Sequence, residues 1–195
     1  MSNSNYADLV ASRICHDLIN PVGAIANGVE LFEMTGGAEA EMELISEGIF
    51  HTSARVRFFR IAFGVSDAEQ TIPTTEVKSI FDDCRNERVI IQWRVDQPMA
   101  RRELRAAFLA ILCVEQALPR GGDIVISHDN GWQIIANADA IDADPLLWEP
   151  LAENEAPTHV SPTTVPFALL PQTLKELQFL PTVLISNTRL SLYFD

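Results

Sequence analysis

The first third of the chain carries two apolar stripes at helical spacing, separated by Gly36-Gly37, and no other feature limits the fold as much. Projected at about 100° per residue, Ala11, Ile14, Leu18, Val22, Ile25, Val29 and Phe32 gather on one side of a helix running from about Tyr6 to Met34, with Ser4 or Asn5 available to start it. Thr35-Gly36-Gly37 supplies a left-handed C-cap and a tight turn. Beyond it, Met42, Ile45, Ile49, Thr52, Val56, Phe59 and Phe63 recur every three or four residues, the spacing of a bundle seam with Thr52 its one polar member. Two helices joined by a short turn fold back as an antiparallel hairpin, and a hairpin alone has too little surface to enclose a core. Pairing with a second copy into a four-helix bundle, and so a homodimer, is expected.

After Gly64 the texture changes. Ser66 to Thr75 is a polar stretch that reads as a linker, so the hairpin is assigned to residues 1–65 and a second domain to residues 72–195. In that domain Pro73 to Asn86 reads as a helix, Arg88 to Val95 as a strand, and Arg101 to Leu118 as a helix. Gly121-Gly122 turns into a strand from Asp123 to Ser127, and Asp129-Asn130-Gly131 forms a hairpin turn into Trp132 to Asn137. The Pro-rich segment from Asp144 to Pro166 reads as turns. Pro166 to Leu180 reads as a helix, followed by a hairpin of Thr182 to Ser186 and Arg189 to Phe194. The fold class is α+β: a helical hairpin followed by an α/β sandwich.

Composition narrows the partners. The 195 residues are 47% hydrophobic, enough for a substantial core. A formal charge of -13, from 27 acidic and 14 basic residues, would repel nucleic-acid phosphates and anionic lipid, which leaves a protein as the favoured partner. Cys15, Cys84 and Cys113 form no C-x-x-C pair, as expected of reduced thiols. No apolar run approaches the ~20 residues of a membrane span, and Met1 to Asn5 contains no basic region leading into an apolar one. A cytoplasmic location is expected.

The chemistry concentrates at Arg13-Ile14-Cys15-His16-Asp17-Leu18-Ile19-Asn20-Pro21. His16 projects opposite the apolar stripe, on a face shared with Arg13, Asn20, Gly23 and Asn27, all polar or too small to obstruct a partner. A histidine accepts a phosphoryl group when a neutral ring nitrogen attacks in line, and positioning and charge neutralisation supply most of the catalysis. Asp17 can accept a hydrogen bond from one ring nitrogen and leave the other unprotonated as nucleophile. Arg13 is placed to balance phosphoryl charge. Pro21 removes an N–H and presses on the Asp17 carbonyl, loosening or bending the helix beside His16 at a cost of ~3 kcal/mol. Taken singly, an exposed histidine on a helix is ordinary surface. The coincidence of His16-Asp17, Asn20-Pro21, a polar face and a helical hairpin resembles the phosphoacceptor helix of sensor histidine kinases.

The second domain departs from the kinase pattern. Leu104 to Leu118, followed by Pro119-Arg120-Gly121-Gly122, resembles the asparagine-box region of a kinase ATP-binding domain, yet Val114-Glu115-Gln116 stands where a magnesium-binding asparagine is expected. Ala138-Asp139-Ala140-Ile141-Asp142-Ala143-Asp144-Pro145 replaces the expected Asp-x-Gly-x-Gly, and no glycine occurs between Gly131 and Asp195. The backbone therefore lacks the close approach to phosphates that nucleotide loops need. A phosphoacceptor hairpin joined to a degenerate kinase-like ATPase domain resembles the ChpT-type histidine phosphotransferases of alphaproteobacteria. The resemblance is sharpest over Cys15 to Ile25, weaker over Ala117 to Gly122, and general in pattern from Pro145 onward. It implies a dimer that takes a phosphoryl group on His16 from the receiver domain of a hybrid sensor kinase and passes it to the receiver of a response regulator. It also implies no ATP, no bound cofactor and no metal site in this chain, with Mg2+ supplied by the receiver.

Other residues are weighed against that reading. Arg55, Arg57 and Arg60 form a basic cluster suited to docking an acidic receiver, although Arg55 alternatively pairs with glutamates of the first helix, a contact worth ~0.2–1 kcal/mol. Phe58 is expected to be buried against the second domain, with an exposed contact anchor as the alternative, Cys15 to be a packed thiol, and Trp93, Trp132 and Trp148 to be core residues. His51, His128 and His159 read as structural or surface residues. Two other functions compete: a scaffold or inhibitor that binds a receiver or kinase without transfer, and an unrelated enzyme with Asp139, Asp142 and Asp144 as metal ligands.

Overall fold

The computed structural model describes residues 3–37, 39–65, 70–83 and 88–195, with side chains from Tyr6 onward; Cys84 and the expected ends of the linker and of the helix at Asn86 lie partly outside these residues. Helices α1 (Asn3–Thr35) and α2 (Glu39–Ala62) form the hairpin, and α1 continues through Pro21. The proline has no N–H, so the Asp17 carbonyl loses its helical donor there. The chain reverses at Gly36 and Gly37, with φ of +77° and +90°, angles that cost glycine nothing and other residues a clash.

The helices touch through two reciprocal pairs that periodicity did not single out. Gly28 lies under Ile45 and Gly48 under Ile25, so closely that a Cβ on either glycine would sit 2.8 or 2.6 Å from an isoleucine Cγ1. The expected seam is consequently divided. Ile45 and Thr52 are half-buried and Phe59 is buried, whereas Met42, Ile49 and Val56 remain exposed, as do Val22 and Val29 on α1. A single stripe at helical spacing thus serves two directions, one toward the rest of this chain and one outward.

The second part is a five-stranded sheet with helices against one face. Strands β2 (Val89–Trp93), β4 (Gly122–His128), β5 (Trp132–Asn137), β7 (Arg189–Phe194) and β6 (Pro181–Ile185) lie in the order β2-β4-β5-β7-β6, with β2 and β4 parallel and the other neighbours antiparallel. A short ladder pairs β1 (Thr71–Ile72) with β3 (Met99–Ala100), a feature absent from the linker reading of Ser66 to Thr75. Alternate residues of the central strands, Ile124 and Ile126, Trp132, Ile134 and Ala136, Leu190, Leu192 and Phe194, are buried. This period of two turns one sheet face toward the helices.

Helix α3 (Thr74–Asp83) precedes β2, α4 (Arg101–Gln116) makes the crossover between the parallel strands, and α6 (Pro166–Leu177) packs on α4. Helix α5 (Pro145–Ala152) occupies sequence read as turns, a correction with a clear cause. Pro145 stands at the first helical turn, where a missing N–H costs nothing, and the Asp144 carboxylate accepts from Leu146 N at 3.0 Å as the N-cap.

Hairpin and sheet share one core. Phe58 and Phe59 of α2 join Phe81, Trp93 and Phe108, with the Phe58 and Phe108 rings 4.6 Å apart and Trp93 5.7 Å from Trp132. Trp148 is also buried. Arg101 clasps the junction, donating from Nη2 to the Arg60 carbonyl at 2.6 Å and from Nη1 to Gln70 Oε1 at 3.2 Å. The first half of α1 lies on this core through Tyr6, Leu9, Val10, Ile14 and Leu18. His16 therefore stands where α1 leaves the sheet domain and continues as the hairpin alone.

Candidate functional site

The His16 side chain is 72% exposed, and its Nδ1 lies 3.1 Å from Asp17 Oδ1. The other Asp17 oxygen is doubly clamped: Oδ2 accepts from Arg13 Nε at 2.9 Å and from Arg55 Nη2 at 2.7 Å. Arg13 reaches Asp17 because residues four apart share a helix face, and Arg55 arrives from the antiparallel α2. Its guanidinium rests over the rings of Phe58 and Phe59, 5.2 and 4.8 Å from their centroids, a placement the ring faces favour.

Burial pushes the Asp17 carboxyl up, but Arg13, Arg55 and the His16 hydrogen bond outweigh it and hold the group below its ordinary 3.8. An ionised carboxylate only accepts hydrogen bonds, so in a neutral His16 ring the proton resides on Nδ1. In that form the in-plane lone pair is on Nε2.

His16 overlooks a cleft of about 860 Å³. Arg13, Asp17, Asn20 and Pro21 form its α1 side, His51, Arg55 and Phe58 its α2 side, and Phe81, Arg88, Ile91 and Glu115 belong to the sheet domain. Of the residues read from sequence, His16, Asp17, Arg13, Asn20, Pro21 and Arg55 meet here, whereas Gly23 and Asn27 are not among its lining residues. Nothing lies within 4 Å of a Cβ built on Gly23, and Asn27 is exposed.

Arg13 requires a correction. Its side chain is 6% exposed rather than displayed beside His16, and beyond Asp17 its Nη1 donates to the Thr163 carbonyl at 2.8 Å. A segment 150 residues away in sequence covers this position, and helical periodicity carries no information about it. On α1 Arg55 pairs with the aspartate Asp17, where a glutamate was the alternative expected. Arg57 bonds Ser79 and Asp83, and Arg60 approaches Glu76 at 3.5 Å, so both reach toward α3. Cys15 is exposed, contrary to a packed thiol, while Cys113 is buried with its thiol pushed well up by desolvation.

His51 and Glu115 were not foreseen as site residues. Four residues separate His51 from Arg55, a spacing that puts both on one helix face. Glu115 was visible as a carboxylate closing the apolar run of α4; burial raises its pKa against the pull of Arg55 and Arg13, and the Asp17 charge adds to the rise. His128 lies 4.0 Å from Glu103 and edge-on to Trp132, and His159 is exposed. Among the described residues no group of three or more His, Cys, Asp or Glu side chains is placed to hold a metal ion. No helix among them is long and apolar enough to cross a membrane.

Residues 74–179 match the family model for the histidine phosphotransferase C-terminal domain. Protein phosphotransferase ChpT of Brucella abortus (strain 2308) is 38% identical over 121 residues, which span 60% of this chain and 58% of that relative. A solved structure of a bacterial phosphotransferase superposes over 100% of this chain and 98% of its own, with 25% identity and a TM-score of 0.79. The hairpin and sheet described above are therefore shared with a phosphotransferase along their whole length, and the chain belongs to the histidine phosphotransferase family that this C-terminal domain defines.

Proposed function

We propose that this protein is the histidine phosphotransferase of a two-component phosphorelay, with His16 as its phosphoacceptor. The observation that carries the reading is an exposed imidazole whose Nδ1 is engaged by a clamped carboxylate, which leaves Nε2 to act as the nucleophile. In the forward step Nε2 attacks the phosphorus of a receiver's aspartyl phosphate, a P–N bond forms, and the P–O bond to the receiver carboxylate breaks. The same exchange in reverse delivers the group to a response regulator. Mg2+ bound by the receiver neutralises the transferring phosphoryl group.

Family membership and the B. abortus relative support the transfer chemistry, and the depleted nucleotide boxes support a phosphoryl source other than ATP. Partners are then the receivers of a hybrid sensor kinase and of response regulators, met in the cytoplasm. The outward-facing Ile19, Val22, Ile49 and Val56 support a homodimer closed as a four-helix bundle. Asn20, Gly23 and Asn27 leave the approach to His16 uncluttered, and Arg55 adds positive potential within it.

A purified receiver domain carrying labelled aspartyl phosphate tests the proposal. The wild type is expected to capture the label, His16→Gln to capture none, and labelled ATP alone to give no transfer. Receiver binding without any capture would replace the relay by a scaffold or inhibitor.

A further inference from the structure

The carboxylate beside His16 is oriented from the opposite domain. Arg13 Nε donates to Asp17 Oδ2 at 2.9 Å while its Nη1 donates to the Thr163 carbonyl at 2.8 Å. That carbonyl sits in a turn held by its own hydroxyls: Ser161 N donates to Thr164 Oγ1 at 2.8 Å, Thr164 N donates to the Ser161 carbonyl at 3.1 Å, and the Ser161 and Thr163 hydroxyls lie 2.9 Å apart. The turn leads into the buried Val165 and Phe167, so its position is set by the core of the sheet domain. A planar guanidinium bonded along two edges cannot rotate without losing a bond.

We propose that Arg13 is a positioning residue through which the sheet domain sets the tautomer and orientation of His16. The Thr163 carbonyl fixes Arg13, Arg13 together with Arg55 sets the angle of the Asp17 carboxylate through Oδ2, and Asp17 Oδ1 holds the proton on His16 Nδ1. This rests on the reading of His16 as phosphoacceptor and adds a task for a domain without nucleotide boxes. Loss of the contact at Thr163 would leave Arg55 as the one firm donor to Asp17 Oδ2, a single bond about which the carboxylate can pivot, and the ring would shift toward the Nε2–H form that a free imidazole prefers. In that form Nε2 has no lone pair in the ring plane with which to attack phosphorus.

The test uses the full chain with 15N-labelled histidine, the His16 ring signals being assigned by their loss in His16→Gln. The wild-type ring is expected in the Nδ1–H form. Arg13→Lys keeps a cation but loses the fork, and Thr164→Val loosens the turn without altering α1; both should shift the ring toward Nε2–H. Thr164→Ser, which retains the hydroxyl, should restore the wild-type spectrum. Capture of phosphoryl from a phosphorylated receiver should slow about tenfold in Arg13→Lys, with little change in KM for the receiver. A wild-type ring in the Nε2–H form, or no shift in Arg13→Lys and Thr164→Val while both remain folded by circular dichroism, would overturn the proposal. If Arg13→Lys does not fold, the Thr164 pair decides alone. A wild type that captures no label yet shows the Nδ1–H ring would refute the relay and leave the positioning intact.

Discussion

Helices α1 and α4 solve opposite problems with similar materials. Every residue of α4 from Ala106 to Val114 is buried, and the helix is held by removing apolar surface from water. In α1, the buried residues among those described are Arg13 and Gly28, a cation and a residue with no side chain. The first half of α1 is therefore held by charge-assisted hydrogen bonds at Arg13 beside partly buried apolar contacts, and its middle by close backbone approach, while much of the stripe beyond Leu18 faces outward. An apolar stripe that faces outward cannot also bury its helix as a core helix is buried. The difference separates the element that maintains the fold from the element that displays His16.

The comparison breaks most visibly if α4 proves dispensable. Phe108→Ala removes a fully buried ring in contact with Phe58, Phe81 and Trp93, and should cost about 3–5 kcal/mol in urea unfolding. Gly48→Val drives new methyl groups into Ile25, with an expected loss of about 1–3 kcal/mol; a neutral result would mean the hairpin is not closely packed there. Ile49→Asp places a charge on the outward apolar face and should weaken self-association at least tenfold, about 1.4 kcal/mol, in sedimentation equilibrium. Unchanged association would put the dimer contact elsewhere.

A pH series supplies the smallest effect and the sharpest contrast. The pKa of Asp17 is held below 3.8 in the folded chain, so its contribution to stability is present above that pH and disappears as pH falls through the folded value. The gap between wild type and Asp17→Asn should therefore be largest near neutrality and shrink below pH 3.8, while the cost of Phe108→Ala stays level. A gap that stays constant would mean the clamp around Asp17 contributes no proton-linked stability.

Much of this architecture could be read from local pattern. The hairpin, its glycine turn and the strands from Gly122 to Asn137 follow from periodicity and turn chemistry, because burial on one face imposes a repeat on the sequence. The display of His16 followed from the same projection. Helix α5 was missed because Pro145 and Pro150 read as turn residues, although Pro145 stands in the first helical turn, where proline is well tolerated, and the helix continues through Pro150. Arg13 was misplaced because the carbonyl that takes it inward belongs to Thr163, far along the chain. Cys15 was misjudged from an angle on a helical wheel, which says nothing about what stands opposite.

From sequence alone came two amphipathic helices, a histidine directed away from their stripe, an adjacent carboxylate and a long stretch after Gly131 with no glycine. These are local properties, dictated by side-chain spacing and by which residues are absent. Only the tertiary structure decided that Asp17 is clamped by Arg13 and Arg55, that Glu115 and His51 border the cleft, and that a backbone carbonyl of the sheet domain takes a bond from Arg13. A hydrogen bond to a main-chain carbonyl demands no particular side chain from its partner, so residue identity at position 163 gives no sign of it.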